Sequence, residues 1–401
     1  MLEKRPYLLS RLVSGLGNSL FGMVFIWWIQ IQSKSSSVVG ITNAIFTITA
    51  ALSIFYGPFI DNHSFKKTSI YSMVIQVVLL FMLTAAMIYF SKYYAFAIII
   101  AGLLSICDEF FGPADRAILK ESVLDESEMT SIISQINIVD QLVNVGGTAL
   151  SGALLAFLTS GDIILACSCL SLLGLLLLIR ALRNIPVHNV VKEKENKDEG
   201  LTKYWQKILN GYRYIKGNSF LFHYLWSSVL YSFAQPALIL ILPRIAAKAG
   251  QPALYSTFYI CILVGIILGA VIGGKMKAKI KTIGWAWIIS AIPIIIMLFF
   301  LKNMVMLCIL LFLFGPATSI HNVLEESIIQ TSTSDNYLGR VLTTIRTFAN
   351  IGGPISSVVA GVILDHLGEK FIVVISTSLI IIGGINILLS APKKLISGVK
   401  K

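Results

Sequence analysis

The sequence predicts an all-α polytopic membrane protein, with twelve transmembrane helices in two pseudo-symmetric six-helix bundles. Three observations predict it. Hydrophobic residues make up 56% of the chain and charged residues only 13%, an imbalance outside the range of soluble domains. The apolar residues gather into about twelve runs, each near the ~20 residues that a spanning helix needs. Two stretches also run in near-register across the two halves. Gly112-Pro113-Ala114 leads through Leu119-Lys120-Glu121-Ser122 to Val145-Gly146-Gly147, and Gly315-Pro316-Ala317 leads through Leu324-Glu325-Glu326-Ser327 to Ile351-Gly352-Gly353. A repeat on that scale in a membrane protein marks folds whose function lies between the halves.

Helix is the conformation open to these runs, because hydrocarbon offers no partner to a bare backbone amide. The expected spans cover residues 8–31, 38–60, 69–90, 95–112, 133–158 and 162–182, then 220–243, 254–274, 283–301, 303–320, 341–364 and 371–391. One long polar connection, holding Lys192-Glu193-Lys194-Glu195, separates an N-terminal bundle (1–183) from a C-terminal bundle (219–401) by a cytoplasmic linker (184–218). Within it Tyr204, Ile208, Tyr212 and Ile215 recur at helical spacing, which fits either a short helix on the cytoplasmic face or a plain tether. With the N-terminus inside, about 25 Lys and Arg fall in cytoplasmic segments and about 6 outside. The positive-inside rule therefore puts both termini in the cytoplasm of a multi-pass plasma-membrane protein. The first run is full-length and carries Arg11, Asn18 and two tryptophans, so it is expected to stay as the first span and not to be cleaved as a signal.

Composition also excludes classes of function. The net charge of +12 is spread over every cytoplasmic connection, such as Lys66-Lys67, Lys275 to Lys281 and Lys393-Lys394. Topology accounts for it, and nucleic acid is not an expected partner. All five cysteines fall inside expected spans with no C-x-x-C pair, so neither disulfides nor a metal site is expected. No Walker-type phosphate loop is present and external connections are about ten residues or fewer, so no cofactor or ATP module is expected. The chain lacks a convergent catalytic set at one depth and does not read as an enzyme.

Between the second and third spans lies Gly57-Pro58-Phe59-Ile60-Asp61-Asn62-His63-Ser64-Phe65-Lys66-Lys67. It resembles the signature loop of the major facilitator superfamily: Gly57 would allow close helix approach, Asp61 would pair with a helix start or a cation, and Lys66 and Lys67 would anchor the cytoplasmic side. Asn62 stands where that family usually has a cation, and the second-half loop Gly273-Gly274-Lys275-Met276-Lys277 lacks the acid. Over the whole chain the resemblance is to the macrolide-efflux-like branch, which includes siderophore exporters. It is carried by a Gly112-Pro113-Ala114 turn after span four, Tyr337-Leu338-Gly339-Arg340-Val341 opening span eleven, and Gly361-Val362-Ile363-Leu364-Asp365-His366-Leu367-Gly368 closing it. The resemblance implies a monomeric secondary transporter working by alternating access, exporting amphipathic small molecules against protons. Siderophore or metabolite export is the alternative within the class, and a non-transporting sensor or resistance-accessory protein the alternative outside it. Leu104 sits near where relatives often carry an arginine implicated in proton handling, so that role does not carry over.

Polar residues inside the spans supply the candidate site. Aligning Gly146-Gly147 with Gly352-Gly353 pairs Asn137, Asp140, Gln141, Asn144 and Ser151 with Thr343, Arg346, Thr347, Asn350 and Ser357, each set on one helical face. Such a face must point at a water-filled cavity or at other helices. Asp140 and Arg346 then match in position with opposite charge, near the midplane where a transporter binds its substrate. Asp140 is expected to titrate or bind a cationic group, and Arg346 to receive an anionic group or hold Asp140 ionised. Asn18 and Phe25 on span one, beside Arg11, and Tyr231 and Gln235 on span seven are expected to face substrate, with helix packing as the competing reading. Asp108, beside Glu109, is a candidate coupling carboxylate near the cytoplasmic end of span four, or else is neutralised there by Arg116 and Lys120. Asp115, Arg116, Glu121, Glu325 and Glu326, with Arg340 and the signature-loop residues Gly57, Asp61, Lys66 and Lys67, are candidates for gating by ion pairs that break as the bundles rock. In a cysteine-free background, Lys34→Cys and Lys302→Cys should react with an impermeant maleimide on intact cells, and Lys194→Cys only after permeabilisation. The reverse labelling pattern would overturn the orientation.

Overall fold

The apolar runs fold as helices throughout the computed structural model, which describes residues 3–51, 64–122, 126–185, 206 and 209–390. Twelve long helices follow one another: α1 Lys4–Ser33, α2 Ser36–Ala51, α3 Phe65–Tyr89, α4 Tyr94–Ser122, α5 Glu126–Leu155, α6 Ser160–Ala181, α7 Ser219–Lys248, α8 Pro252–Gly273, α9 Ile280–Phe300, α10 Met304–Ser332, α11 Asp335–His366 and α12 Glu369–Leu389. Eleven are long and apolar enough to cross a membrane, and α2 is described only as far as Ala51. Gly57 and Asp61 lie outside the described residues.

The expected turn at Gly112-Pro113-Ala114 is corrected: Pro113 is inside α4, and Pro316 is inside α10. A proline costs a helix one hydrogen bond, but a membrane helix tolerates it where a neighbouring helix covers the freed carbonyl. In α10 that carbonyl belongs to Phe312, four residues before Pro316. A Cβ on Gly265 of α8 would stand 2.3 Å from the Phe312 oxygen, so the absence of a side chain lets α8 close over the exposed group.

The helix ends also revise the repeat. Helices α4 and α10 begin 210 residues apart, whereas the two Gly-Pro-Ala triplets are 203 apart. The triplets therefore sit two turns out of step. Asp115 and Glu325, each the 22nd residue of its helix, are the positional equivalents.

Two units contain these helices: Met1–Lys194 with Pro243–Ile260, and Glu195–Leu242 with Cys261–Lys401. In the first, α1 lies against α5 and α6, with the Ser10 hydroxyl donating to the Gly174 carbonyl at 2.7 Å and a core built on Tyr7, Met73, Val77, Ile118, Ile132 and Leu178. Its Pro243–Ile260 segment joins through Arg244, which donates to Ser36 Oγ at 2.8 Å, and through Tyr255, stacked on Trp27 with ring centres 6.2 Å apart. In the second unit α9 crosses α12 at glycines, and Trp287 packs against Gly383 so closely that a Cβ there would lie 2.5 Å from the indole. The linker spacing resolves as a helix over 209–217. Tyr214 stacks on Tyr337 at 4.7 Å and Tyr212 on Phe348 at 6.2 Å, so this segment is docked on the start of α11.

At Gly269 an added Cβ would meet the Pro316 oxygen at 2.4 Å and its Cα at 2.6 Å, backbone atoms that cannot rotate away. Gly269→Ala should therefore destabilise the detergent-solubilised protein by about 1–3 kcal/mol in thermal unfolding. Gly22→Ala, which meets nothing within 4 Å, should be neutral or slightly stabilising.

Candidate functional site

A charge network in the first unit grows from the first turns of α1. Tyr7 and Arg11 are four residues apart on one face, and both reach Asp115 of α4. The Tyr7 hydroxyl donates to Asp115 Oδ2 at 2.7 Å, and Arg11 Nη1 donates to the same oxygen. Arg11 Nη2 spans both oxygens of Asp140 on α5, at 3.2 and 3.1 Å. One guanidinium therefore serves two carboxylates.

Their surroundings differ in a way that decides their roles. The Asp115 side chain is 0% exposed and that of Asp140 45%. A buried carboxylate stripped of its cation costs about 3–5 kcal/mol, while a half-exposed ion pair is worth only about 0–1 kcal/mol. Asp115 is thus the anchor that holds Arg11, and Asp140 is the arm that can let go.

Two turns further along, α1 and α4 meet again. Asn18 is seven residues past Arg11 and Asp108 seven residues before Asp115, about 10.5 Å on each axis, so antiparallel helices bring the second pair together as they do the first. Asp108 Oδ1 accepts from Gln76 Nε2 at 2.8 Å and from Asn18 Nδ2 at 3.4 Å. Asp108 is the 15th of the 29 residues of α4, which corrects its expected place near the helix end, because the helix continues through Pro113. Its described partners are amides, and the side chains of Arg116 and Glu121 are outside the described set.

The remaining candidates scatter. Phe25 is fully buried among Phe21, Trp28 and Phe46, with ring centres about 6 Å away. Asn144, Asn350 and Arg346 are exposed, and Gln235 is half-buried. Lys66 caps the end of the first unit by donating to the Ile185 carbonyl at 2.7 Å, while Lys67 is exposed. Arg340 lies over the Tyr337 ring at 5.3 Å. Glu326 is exposed and accepts from Gln330 at 3.1 Å.

Glu325, by contrast, is 2% exposed. It accepts from the Trp287 indole and lies 3.4 Å from His321 Nδ1. Tyr231 packs edge-on to both rings, 5.3 Å from Trp287 and 5.7 Å from His321. Arg11, Tyr7, Gln76, Trp287 and His321 were missing from the expected site. The seven-residue spacings and the His321–Glu325 pair one turn apart were the signals that could have found them.

The family model of the Major Facilitator Superfamily matches residues 7–281 and 250–400. The chain belongs to that superfamily. It is 23% identical over 388 residues to the uncharacterized MFS-type transporter YfmI of Bacillus subtilis (strain 168), covering 94% of each protein. Among solved structures it is similar to a bacterial homologue of the iron transporter ferroportin in an inward-facing state, with a TM-score of 0.73 at 14% identity over 96% of this chain and 98% of that one. It is also similar to the nucleoside transporter NupG, with a TM-score of 0.71 at 13% identity over 96% and 100%. At such identities the structures show the fold alone. This superfamily member is a multi-pass membrane transporter and not an enzyme.

Removing the anchor and removing the arm should separate in the laboratory. Arg11→Gln should lower unfolding stability by about 3–5 kcal/mol, and adding Asp115→Asn should recover part of it. Asp140→Asn should shift stability by less than about 1 kcal/mol. Equal losses in Arg11→Gln and Asp140→Asn would contradict the assignment.

Proposed function

We propose that this transporter exports amphipathic small molecules, macrolide-like drugs or similar, in exchange for protons, with Asp140 as the group for which substrate and proton compete. The observation that carries this reading is the Arg11 guanidinium shared between a buried and a half-exposed carboxylate. A proton or a ligand cation on Asp140 cancels its claim on Arg11, and the guanidinium falls back on Asp115. The link between α5 and α1 then opens, at a cost small enough for one binding event to supply.

Charge balance supports a cationic or protonatable cargo. Asp115 and Asp140 share the single Arg11 guanidinium, so this pair carries surplus negative charge where a cation would be the complement. The half-buried Phe21 ring on α1 suits the apolar part of such a ligand.

Alternating access then needs two states that bind differently. Protonated Asp140 favours the state in which α5 is free of Arg11, and the deprotonated form favours the linked state or the cation-loaded one. Exchange follows because both ligands cannot occupy Asp140 together.

In proteoliposomes holding the full chain, a pH gradient should drive movement of ethidium or erythromycin, and Asp140→Asn should reduce it at least tenfold while the protein stays folded. Flux of the same size without the gradient would overturn proton coupling. Binding without flux of either compound would favour the sensor reading.

A further inference from the structure

The cysteines of this chain differ once the helices are placed. Cys167 and Cys169 are two residues apart on α6, one buried and one exposed, and neighbours at that spacing do not face each other. Cys107 is alone on α4. Cys261 of α8 and Cys308 of α10 both belong to the second unit, both are half-buried, and their thiols lie within interaction range of each other.

The backbone explains why they meet. Helices α8 and α10 run side by side in a fixed register. A Cβ on Gly265 would point at Phe312, one on Gly269 at Pro316 and one on Gly273 at Ile320, each partner 47 residues further along the chain. From the other side, a Cβ on Gly315 would lie 2.6 Å from the Ile262 carbonyl oxygen. Glycine at every fourth position of α8 lets the two backbones touch, so side-chain bulk cannot shift the register. One turn before the first of these pairs, the same 47-residue offset sets Cys261 against Cys308. A pair so far apart in sequence forms no cysteine motif.

The surroundings select what two such thiols can hold. From Pro252 to Gly273 and from Met304 to Ile320 there is no Asp, Glu, Lys, Arg or His, and no group of three or more His, Cys, Asp or Glu able to hold a metal forms among the described residues. Two ligands fall short of the four that zinc takes. They suit a soft ion satisfied by two sulfurs. Charge narrows the choice further, because the metal ligand is the thiolate. A monovalent ion would leave one negative charge in an apolar stretch, whereas a divalent ion with two thiolates is neutral.

We propose that Cys261 and Cys308 form a soft-metal site in the second unit, taking one two-coordinate divalent ion of the mercuric class between their sulfurs. Two S–H bonds break, two metal–sulfur bonds form and both protons pass to water, with no change of oxidation state. The bound ion staples α8 to α10 one turn before their glycine contact. The site is separate from the Arg11 network and independent of the exchange reading given above.

The full chain in detergent, reduced and with Cys107, Cys167 and Cys169 replaced by alanine, should bind one mercuric ion, added as the chloride, and release two protons to a weakly buffered solution. A sulfur-to-metal absorption band should rise in the ultraviolet with the same stoichiometry. Cys261→Ser and Cys308→Ser should each release one proton and bind about 10²-fold or more weakly, because the second sulfur no longer acts within the same molecule. Single variants that match the parent in affinity and proton release, or a parent that releases one proton per ion, would overturn the proposal. If the serine variants do not fold, phenylarsenoxide tests the parent alone, since it joins two adjacent thiols while its oxygen leaves as water. One arsenical per chain should then protect both cysteines from a maleimide, and thiols that stay open to the maleimide would count equally against the site.

Discussion

Hydrocarbon gives nothing back to a polar group, and the structure follows from that. Backbone amides close on themselves in the twelve long helices described, and each interior charge needs a partner on another helix. In the first unit Arg11 answers both Asp115 and Asp140, so one guanidinium ties α1 to α4 and to α5, with Tyr7 and Asn18 adding hydrogen bonds from α1 to α4. Prolines inside α4, α9, α10 and α11 are tolerable under the same rule, because covered carbonyls are not lost ones, as Phe312 under Gly265 shows.

The two units solve the buried-acid problem unequally, and that inequality is more informative than their likeness. Asp115 has a permanently charged arginine beside it and is a structural fixture. Glu325 instead accepts from the Trp287 indole and lies 3.4 Å from His321.

Much of this was legible in the amino-acid order and some was not. The number and approximate limits of the helices follow from apolar run length, since lipid leaves no alternative conformation. Asp108 and Asp140 stood out because charge inside a span always demands a reason, whereas Glu325 was expected at the inner end of span ten and instead lies buried in a helix that runs on to Ser332. The register of the repeat did not survive: two matching Gly-Pro-Ala triplets are a local likeness, whereas equivalence is set by helix ends. Similarly, the pairing of Asp140 with Arg11 depends on how α1, α4 and α5 are staggered, and no run of hydropathy encodes stagger. The helix over 209–217 was half visible, in the spacing of Tyr212 and Ile215, but its docking on α11 needed Tyr337 and Phe348 from far along the chain.

Gly383 has no chemistry of its own, yet the Trp287 ring fills the space where its side chain would stand, and its carbonyl takes the Ser227 hydroxyl at 2.9 Å. Almost any replacement must push the indole toward His321 and Glu325. Divergence at a silent position on α12 would thus be felt in the packing around His321 and Glu325 on α10. Relatives with a larger residue there must seat the indole differently, even where every ionisable residue is shared.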